Sequence, residues 1–399
     1  MRELNFTLNA NSTEPPPGVK TILDGFEVET GIRVNLKTLP WAQARSKLVN
    51  YALFQEPPDV SEVGSSWIGG LWAMNALRPF SAAEIEAFDA PLAYLPVAWK
   101  SCLSYRDQVL GVPFSVDLRN ILYRRDHFQR AGIDENEAFR DLARLKETWK
   151  KLLAKRYRNP WVITTQGSLS MVHSVASWVW KYGGNFMSED GSKPLFQEPE
   201  ALEGIYRYYS EQLPYLSSRA RDLDDAQVAD LFCRGEASSI FAAYWVLERI
   251  KQGDAAPKVI SNLGVTTLPL PTFIGGTNLV IWRDSSRVDD ALKLVRYLTL
   301  HRTQLNLQTN FAVLPARVNS LQQSMITAHP DHHTEILKSL DLGRIFSAPY
   351  MWGMIEARLL PVLVGIWREL YVTPTLDLRA LVEERIGKIA NSLSDELTS

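Results

Sequence analysis

The sequence predicts an α/β protein with two domains, and three observations carry that prediction. At 399 residues the chain is longer than a single hydrophobic core ordinarily organises. Its first forty residues or so alternate strand, helix and strand patterns, as a parallel βαβ unit does. A β-rich run at 111–128, GVPFSVDLRNILYRRDHF, then leads into a stretch of different composition. We therefore expect two lobes, each a mainly parallel sheet flanked by helices, with strands crossing between them.

The opening elements follow from apolar spacing. LNFTLNA at 4–10 alternates as a strand, and Val19, Ile22, Leu23 and Phe26 fall on one face of a helix that stops at Gly31. A second strand from 32 to 36 follows, and then a helix at about 43–54, a strand at 59–63 and a helix at 67–77. Ligands in open parallel sheets lie beyond the carboxyl ends of the strands. The segments 9–14, 40–45 and 64–67 are therefore the first candidates for a binding site.

The second half of the chain predicts the other lobe and two further crossings. Between about 126 and 255 the sequence is rich in helical patterns and tryptophan, with strands near 161–165 and 238–243. LGVTTLPLP at 263–271 is the expected return crossing, because its prolines restrict it to edge or hinge geometry. A third crossing is expected after about 322, before a final amphipathic helix at 378–393. The predicted domains are 1–113 with 272–320, and 114–271 with 321–399.

Composition excludes several classes of protein. The chain is 46% hydrophobic and 22% charged, with a net charge of −2, so it lacks the basic face that nucleic-acid binding requires. The longest apolar run, LLPVLVGIW at 359–367, is about half of the roughly 18 residues that a membrane helix needs. The two cysteines, Cys102 and Cys233, are expected to be buried and unpaired.

Tryptophan is the most suggestive residue type in the chain. Four of the twelve tryptophans are predicted at loop tips: Trp41, Trp67, Trp245 and Trp352. An indole face suits the apolar C–H face of a pyranose, while neighbouring polar groups bond the hydroxyls. The alternative is that these side chains pack in the core, as expected for the tryptophans inside predicted helices and strands, such as Trp72.

Charged residues extend the candidate site. Asp117 and Arg119 are two residues apart, so in one continuous strand they point to the same face and can bind vicinal hydroxyls. A structural ion pair at a hinge is the alternative interpretation. Glu14 and Arg45, expected at the starts of the first two helices, are candidates of the same type, against solvated surface charge.

Small and amide residues complete the predicted substrate-binding set. Gly275 and Gly276 precede a strand, where a ligand can approach the backbone closely, and Asn278 lies on the same side as Gly276 by period-two spacing. A tight turn explains the glycines equally well. The loop at 64–67 offers Ser65 and Ser66 at a strand's carboxyl end, although such loops also cap helices. The remaining members of the predicted site are Asn9, Asn11, His173 and Tyr350.

Sequence motifs of catalysis and cofactor binding are absent. The chain has no Gly-x-Ser-x-Gly, Gly-x-Gly-x-x-Gly, phosphate-loop, Cys-x-x-Cys or His-Glu-x-x-His pattern. HPDHH at 329–333 is interpreted as a solvated loop, because adjacent histidines on a helix point apart. We therefore expect no catalytic residues, no metal and no cofactor.

Four stretches in order resemble one family across nearly the whole chain. They are LWAMNALRPF (71–80), the 111–128 run, KYGGNFMSEDGSKPLF (181–196) and FIGGTNLVIW (273–282). Together they resemble the extracellular solute-binding proteins of family 1, the maltose-binding-protein-like carbohydrate-binding subunits of ABC importers. SIFAAYW at 239–245 is similar to the family's aromatic platform, which places Trp245 under a sugar.

The resemblance implies a fold, an activity and a location. The fold is the type II periplasmic-binding-protein fold, in which a carbohydrate, here most often an oligosaccharide, is captured between lobes that close like a hinge. The expected partners are the ABC transporter's permease subunits, and the protein is expected to act as a monomer in the periplasm or outside the cell, either free or lipid-anchored. Since Met1 leads directly into a strand, the resemblance further implies that an export signal has been trimmed.

Several alternatives remain open from the sequence. Arg45, Arg119 and Arg344 are compatible with an acidic glycan, whereas a polyamine would need several converging carboxylates. A sensor subunit partnering a membrane kinase would use the same fold. A glycoside hydrolase would need two carboxylates roughly 5 to 9.5 Å apart. Asp117 has no evident carboxylate partner for that purpose other than Glu14.

Overall fold

The chain divides into two compact units. The computed structural model describes residues 2–10, 13–16, 18–54, 56–104, 107–188, 190, 192–306, 313–346 and 352–398, of which 354 and 396–398 are described by backbone alone. Unit 1 comprises Met1–Asp117, Ile274–Pro330 and Ala348–Gly353, and unit 2 comprises Leu118–Phe273, Asp331–Ser347 and Met354–Ser399. The sequence-based boundaries at 113, 271 and 320 lie within ten residues of the ends of the units at 117, 273 and 330. That the units are lobes that move against each other stays a prediction.

The strands are short, and most lie in the first half of the chain or close to the unit boundaries. In chain order they are β1 (Arg2–Ala10), β2 (Ile32–Pro40), β3 (Val60–Gly64), β4 (Val112–Asp117), β5 (Arg119–Arg124), β6 (Ser239–Ala243), β7 (Leu263–Thr266), β8 (Thr272–Phe273), β9 (Gly275–Ile281), β10 (Leu314–Pro315) and β11 (Gly343–Arg344).

The helices surround these strands, and two short 3₁₀ turns lie at Leu213–Tyr215 and Ser218–Ala220. The α-helices of the described residues are α1 (Val19–Thr30), α2 (Trp41–Phe54), α3 (Ile68–Ala73), α4 (Ala82–Ala87), α5 (Pro96–Lys100), α6 (Arg125–Ala131), α7 (Glu135–Ala138), α8 (Leu142–Ala154), α9 (Leu169–Lys181), α10 (Pro199–Gln212), α11 (Asp225–Cys233), α12 (Tyr244–Lys251), α13 (Pro257–Ser261), α14 (Val288–Thr299), α15 (His301–Leu305), α16 (Val318–Ala328), α17 (His333–Asp341), α18 (Trp352–Val372) and α19 (Leu378–Thr398).

Unit 1 is built on a six-stranded mixed sheet with the order β10-β4-β9-β3-β1-β2. β1 pairs in parallel with β2 and β3, as the βαβ pattern predicts. β9 lies between β3 and β4 and is antiparallel to both, and β10 is antiparallel to β4. The expectation of a mainly parallel sheet is therefore wrong. The sheet is mixed because β9 reaches it from the return crossing, and no local βαβ connection fixes the direction of that strand.

Unit 2 contains smaller sheets than the sequence suggests. β5 lies between β6 and β7 and pairs antiparallel with both. β8 and β11 form a two-stranded parallel pair. The larger of these two sheets is therefore antiparallel and not parallel as expected, and helices surround both. The side chains of five tryptophans of unit 2 are at most 5% exposed: Trp149, Trp161, Trp178, Trp180 and Trp367.

The first helix illustrates how local pattern becomes structure. Val19, Ile22, Leu23 and Phe26 are buried on one face of α1, as their spacing predicts. The helix ends at Gly31, whose φ of 68° is left-handed and lets its N–H bond to the carbonyl of Glu27. The buried apolar face therefore packs α1 against the sheet, and α1 connects β1 to β2 along the chain.

Other expectations about the core also have an outcome. Cys102 and Cys233 are buried and free, which confirms the prediction for the two cysteines. Within the described part of the chain, none of the helices has both the length and the apolar character needed to cross a bilayer.

Candidate functional site

The carboxyl ends of three parallel strands meet at one edge of the unit 1 sheet. β1 ends at Ala10, β2 at Pro40 and β3 at Gly64, and the register pairs Ala10 with Pro40. At the same edge β9 begins at Gly275, which pairs with the last residue of β4, Asp117. Chain segments far apart in sequence thus present their ends together, as expected for an open α/β sheet.

We call Asn9, Trp41, Arg45, Ser65 and Gly276 the edge cluster. The backbone N–H of Ser65 donates to the carbonyl of Gly276 at 3.0 Å, which joins the loop after β3 to the start of β9. Gly276 has φ 138°, and a Cβ at this position would overlap the carbonyl oxygen of Ser115. The predicted close approach at Gly276 is therefore made by the neighbouring strand β4, which requires glycine here.

Two of the predicted tryptophans lie together at this edge. The rings of Trp41 and Trp67 meet edge to face with centroids 5.8 Å apart. Trp41 is 42% exposed, whereas Trp67 is 7% exposed and packs over Gly64. The loop-tip prediction is wrong for Trp41, which is the first residue of α2, because the helix follows β2 without a loop. The prediction is also wrong for Trp67, because a loop tip implies an exposed side chain and Trp67 is buried.

Arg45 and Trp352 also come close in unit 1. The guanidinium of Arg45 packs against Gly353, where a Cβ would overlap it. Trp352, directly before Gly353, begins α18 and is 1% exposed, so the prediction that it lies at an exposed loop tip is wrong. Its indole is therefore a core side chain and not an exposed one.

Asn9 is held by a buried carboxylate that the sequence analysis did not identify. Its backbone N–H donates to Glu62 Oε2 at 2.7 Å, and its Nδ2 donates to the backbone carbonyl of Glu62 at 3.2 Å. Asn9 Oδ1 is buried and has no hydrogen-bond partner among the described residues. Glu62 follows Ser61 in β3, and a charged residue after a serine gives no sequence signal of burial, so only the tertiary structure shows that Glu62 is buried.

Other predicted residues of unit 1 are placed differently from expectation. Asn278 is 1% exposed and its amide bonds to Ser101, with the thiol of Cys102 3.1 Å from Oδ1. This burial corrects the prediction that its amide faces a ligand. Glu14 is exposed in the bend before α1 and not in the first turn of that helix. Asn11 and Tyr350 lie outside the described residues.

Asp117 and Arg119 do not share a strand. β4 ends at Asp117 and β5 begins at Arg119, and the two strands belong to different sheets. Leu118 interrupts the strand and is also the first residue of unit 2. The prediction that both side chains point to one face is therefore wrong, because the alternation of side chains that it uses requires an unbroken strand.

In unit 2, Arg119 and His173 form a fixed pair. Arg119 Nη2 lies 3.1 Å from His173 Nδ1. A guanidinium only donates hydrogen bonds, so Nδ1 accepts and the imidazole carries its proton on Nε2. Nε2 is buried and has no partner among the described residues. Burial, with the adjacent Arg119 charge, holds the pKa of His173 well below its usual range.

Aromatic rings fix the position of His173. Its ring stacks on Phe273, with centroids 3.9 Å apart and an interplanar angle of 15°, and Phe346 lies next to both rings. We call Arg119, His173, Phe273 and Phe346 the histidine cluster. Three of its members lie within two residues of a unit boundary along the chain. The cluster therefore includes residues that lie next to points where the chain passes from one unit to the other.

Trp245 lies near the same strand end. Arg119 pairs with Ala243, the last residue of β6, and the N–H of Tyr244 donates to the carbonyl of Leu118 at 3.0 Å. Trp245 is half-buried and is the second residue of α12, which directly follows β6, so the prediction that it lies at a loop tip is wrong. The structure thus brings Trp245 and Arg119 to one end of the three-stranded sheet in unit 2.

Among the residues that the structure describes, no group of three or more His, Cys, Asp or Glu side chains could hold a metal ion. The edge cluster and the histidine cluster both consist of aromatic faces and neutral or cationic hydrogen-bonding groups. Such a combination suits a neutral, hydroxyl-rich ligand better than a metal.

Comparison with known proteins assigns the class. Residues 9–305 match the family described as bacterial extracellular solute-binding protein, and the chain belongs to that family. This membership confirms the resemblance drawn from the four sequence stretches, and the two-lobed α/β fold class with it.

Individual relatives are distant in sequence and close in fold. The chain is 25% identical over 391 residues to a binding protein of Brucella abortus, covering 92% of this chain and 85% of that protein. It is 23% identical over 315 residues to the diacetylchitobiose binding protein DasA of Streptomyces coelicolor, covering 75% and 70%. The maltose-bound MalE3 structure from T. maritima superposes with a TM-score of 0.81 at 18% identity, covering 98% of this chain and 100% of that one.

Proposed function

We propose that this solute-binding protein captures a carbohydrate, specifically an oligosaccharide, and delivers it to the transmembrane permease subunits of an ABC importer. The observation that carries the proposal is the edge cluster. It combines the exposed indole of Trp41 with the hydroxyl of Ser65 and the unpartnered Asn9 Oδ1, and Ser66 follows Ser65 in the same loop. Indole faces stack on pyranose C–H faces, and polar groups beside them bond the hydroxyls.

Unit 2 carries a second set of candidate sugar contacts in this proposal. In unit 2, Trp245 provides a stacking face, and Arg119 and His173 provide hydrogen-bond donors. In unit 1, Asp117 provides an acceptor at the end of β4. Glu14, Trp67, Gly275 and Gly276 line or support the unit 1 part. Asn11 and Tyr350 stay candidates from the sequence alone. Asn278 is left out because its amide is engaged in the protein interior.

Relatives support the choice of ligand class. DasA is described as a diacetylchitobiose binding protein, and the MalE3 structure holds maltose. Both ligands are disaccharides whose sugar rings offer apolar faces and hydroxyls. We further propose that the protein acts outside the cytoplasm as a monomer, lipid-anchored or free, and that it releases its ligand unchanged, without a cofactor.

Binding is tested with a glycan panel in a thermal-shift assay. A ligand at 100 times its Kd stabilises a protein by about 2.7 kcal/mol, so a true ligand gives an unmistakable rise in melting temperature. Neutral oligosaccharides should raise it more than monosaccharides or uronate-containing glycans do. A panel without any shift at millimolar concentrations would count against a carbohydrate ligand.

Trp245 provides the sharpest test of the site. Trp245→Ala removes one stacking face, worth roughly 1.5 to 3 kcal/mol, and should weaken sugar affinity about ten- to hundredfold. Trp72→Ala is the matched control, since Trp72 is also half-buried but lies on α3, where it packs against Arg283. Isothermal titration should show unchanged affinity for the control. Equal affinity in both variants would remove Trp245 from the site.

Turnover is tested separately. The protein is incubated with its tightest glycan, and the mixture is analysed by chromatography. Recovery of intact glycan is expected. Cleavage that persists after repurification of the protein would replace the binding role with a hydrolase.

A further inference from the structure

Glu62 is a buried acid in the middle of β3, next to the edge cluster. Its side chain is 4% exposed. Among the residues that the structure describes, no arginine or lysine pairs with it. An isolated buried carboxylate is costly, and its environment must stabilise it by hydrogen bonds or let it take up a proton.

Two donors from neighbouring strands reach the carboxyl group. Thr277 Oγ1 donates to Oε1 at 2.6 Å, and the backbone N–H of Asn9 donates to Oε2 at 2.7 Å. These are the short distances of hydrogen bonds to a charged acceptor. Glu62 therefore joins β9 to β1 across β3.

A third hydroxyl extends the chain of hydrogen bonds. Ser115 Oγ on β4 lies 2.8 Å from Thr277 Oγ1. A hydroxyl has one hydrogen, and that of Thr277 is directed at Glu62, so Ser115 must donate to Thr277. The direction of the whole relay, from Ser115 through Thr277 to Glu62, is thus set by the carboxylate.

The other end of the relay positions a predicted ligand contact. Asn9 is held by Glu62 twice, through the side chain and through the backbone carbonyl. Because Nδ2 donates to that carbonyl, Oδ1 must point away from it. Oδ1 is the buried acceptor without a partner among the described residues, so it is available to a ligand hydroxyl.

We propose that Glu62 is a positioning residue for Asn9, and that the charge on its carboxyl group makes ligand affinity depend on pH near neutrality. The inference rests on the proposed function, since it concerns how the same site holds its sugar. Glu62 acts through Asn9 and does not itself contact the ligand.

Few charges surround Glu62 on the elements packed against it or against its partner strands. β9 carries none, β4 carries Asp117 at its end, and β1 carries Arg2 and Glu3 near its start. β2, which pairs with β1, carries Arg33 and Lys37. The helices packed on β1, β4 and β9 carry Arg45, Lys47 and Tyr51 (α2), Lys100 (α5) and Asp289, Asp290, Lys293, Arg296 and Tyr297 (α14). Burial raises the pKa of Glu62 to about 7, although the hydrogen bonds from Thr277 and Asn9 act to lower it. None of the charges named above offsets this effect of burial.

Protonation reverses the relay. A proton taken from solvent onto Oε1 makes that oxygen a donor to Thr277, whose hydroxyl must then turn its hydrogen toward Ser115. The bond from Asn9 loses its charge assistance. The negative charge behind Asn9 Oδ1, which favours a donating sugar hydroxyl, is lost as well. Affinity should therefore fall by roughly three- to tenfold as the pH drops from 8.5 to 5.5.

Folding responds in the opposite direction. The pKa of Glu62 is about 7 in the folded protein and lies near the ordinary value of 4.5 when unfolded. Between these values the folded state retains a proton that the unfolded state has lost. The stability contributed by Glu62 is therefore complete below pH about 4.5 and is lost as the pH rises through 7. Ligand affinity should therefore rise with pH while the stability that Glu62 contributes to the fold decreases over the same interval. Simple acid unfolding does not produce this combination.

The ligand-free part of the experiment uses the full chain at pH 5 to 9. Infrared difference spectra should show a protonated carboxyl band that disappears with a midpoint near pH 7, and the backbone amide resonance of Asn9 should move with the same midpoint. Glu62→Gln should abolish both changes. Asp59→Asn is the control, because Asp59 is a buried carboxylate of the same unit with its own donors, Asn5 and Ser285. It should leave both changes in place.

Thr277→Val keeps the proposal falsifiable if Glu62→Gln does not fold. Thr277 lowers the pKa of Glu62 by donating to it, so its loss should move the midpoint upward while the carboxyl group remains. An unchanged midpoint, or a wild type without any carboxyl titration between pH 5 and 9, would overturn the inference.

The ligand part uses maltotriose and diacetylchitobiose as probes. Calorimetry at pH 7 in two buffers of different ionisation enthalpy should show that binding releases a fraction of a proton in the wild type and none in Glu62→Gln. If a probe binds with a flat pH profile, the inference fails while the proposed function stands. If neither probe nor any panel glycan binds, the proposed function fails, and the Asn9 resonance alone decides whether Glu62 is a positioning residue.

Discussion

The edge cluster of unit 1 is held by hydrogen bonds between strands, whereas the histidine cluster of unit 2 is held by aromatic packing. In unit 1, Ser115, Thr277, Glu62 and Asn9 form one relay across four strands. In unit 2, His173 lies between the Arg119 guanidinium and two phenylalanine rings.

This difference decides how each cluster responds to conditions. A relay of hydroxyls around a buried acid changes its polarity when one proton is added, and so it is sensitive to pH. An imidazole that accepts from a permanent cation and is stacked on a ring keeps one tautomer, because protonation would place two positive charges together. We expect the two clusters to differ in the size and kind of their response to mutation.

The largest effect should come from the aromatic support in unit 2. Phe273 is 3% exposed and contacts both His173 and Phe346, so Phe273→Ala should reduce the free energy of unfolding by about 3 to 5 kcal/mol. Urea denaturation measures the loss. Phe54→Ala is the control, since Phe54 is 79% exposed and its loss should change stability by at most about 0.5 kcal/mol. A cost below 1 kcal/mol at Phe273 would show that packing does not hold this cluster.

The next effect tests the backbone at the edge of unit 1. Gly276→Ala places a Cβ against the carbonyl of Ser115 at a φ of 138°, and should destabilise the protein by roughly 3 kcal/mol. Gly167→Ala is the matched control, because a Cβ there meets nothing within 4 Å. Denaturation curves for the two variants should differ clearly, and equal curves would mean that β4 yields at this point without cost.

The smallest predicted effect concerns the protonation state of His173. Nitrogen-15 NMR should show His173 as the neutral Nε2–H tautomer throughout pH 5 to 8, because its pKa is held well below the usual value. Below pH about 6.5 the unfolded state takes up a proton that folded His173 does not, so this residue contributes a loss of stability as the pH falls. A titration of His173 near pH 6.5 would contradict the assigned bond from Arg119.

The sequence predicted local elements well where one face of an element is apolar. α1 was placed by four residues and its end by Gly31, and the carboxyl ends of the first three strands were correctly named as the segments that converge. The family also followed from sequence, since four ordered stretches sufficed for the resemblance that residues 9–305 bear out.

Errors arose where a residue's environment depends on distant segments. Trp352 and Asn278 resembled site residues because aromatic rings and amides near turns often bind ligands, yet both are buried. Asp117 and Arg119 were assigned to one strand because no residue between them suggests a break. Whether the remaining candidates contact sugar stays a prediction.

By itself, the sequence determined the α/β class and the family, because apolar periodicity and ordered motifs are local properties of the chain. The tertiary structure alone decided that β9 enters the first sheet antiparallel, that Glu62 is buried beside Asn9, and that His173 accepts a bond from Arg119. These facts depend on contacts between residues that lie 53 or more positions apart in the sequence. The energies of such contacts come from burial and hydrogen-bond pairing, which no local sequence pattern records.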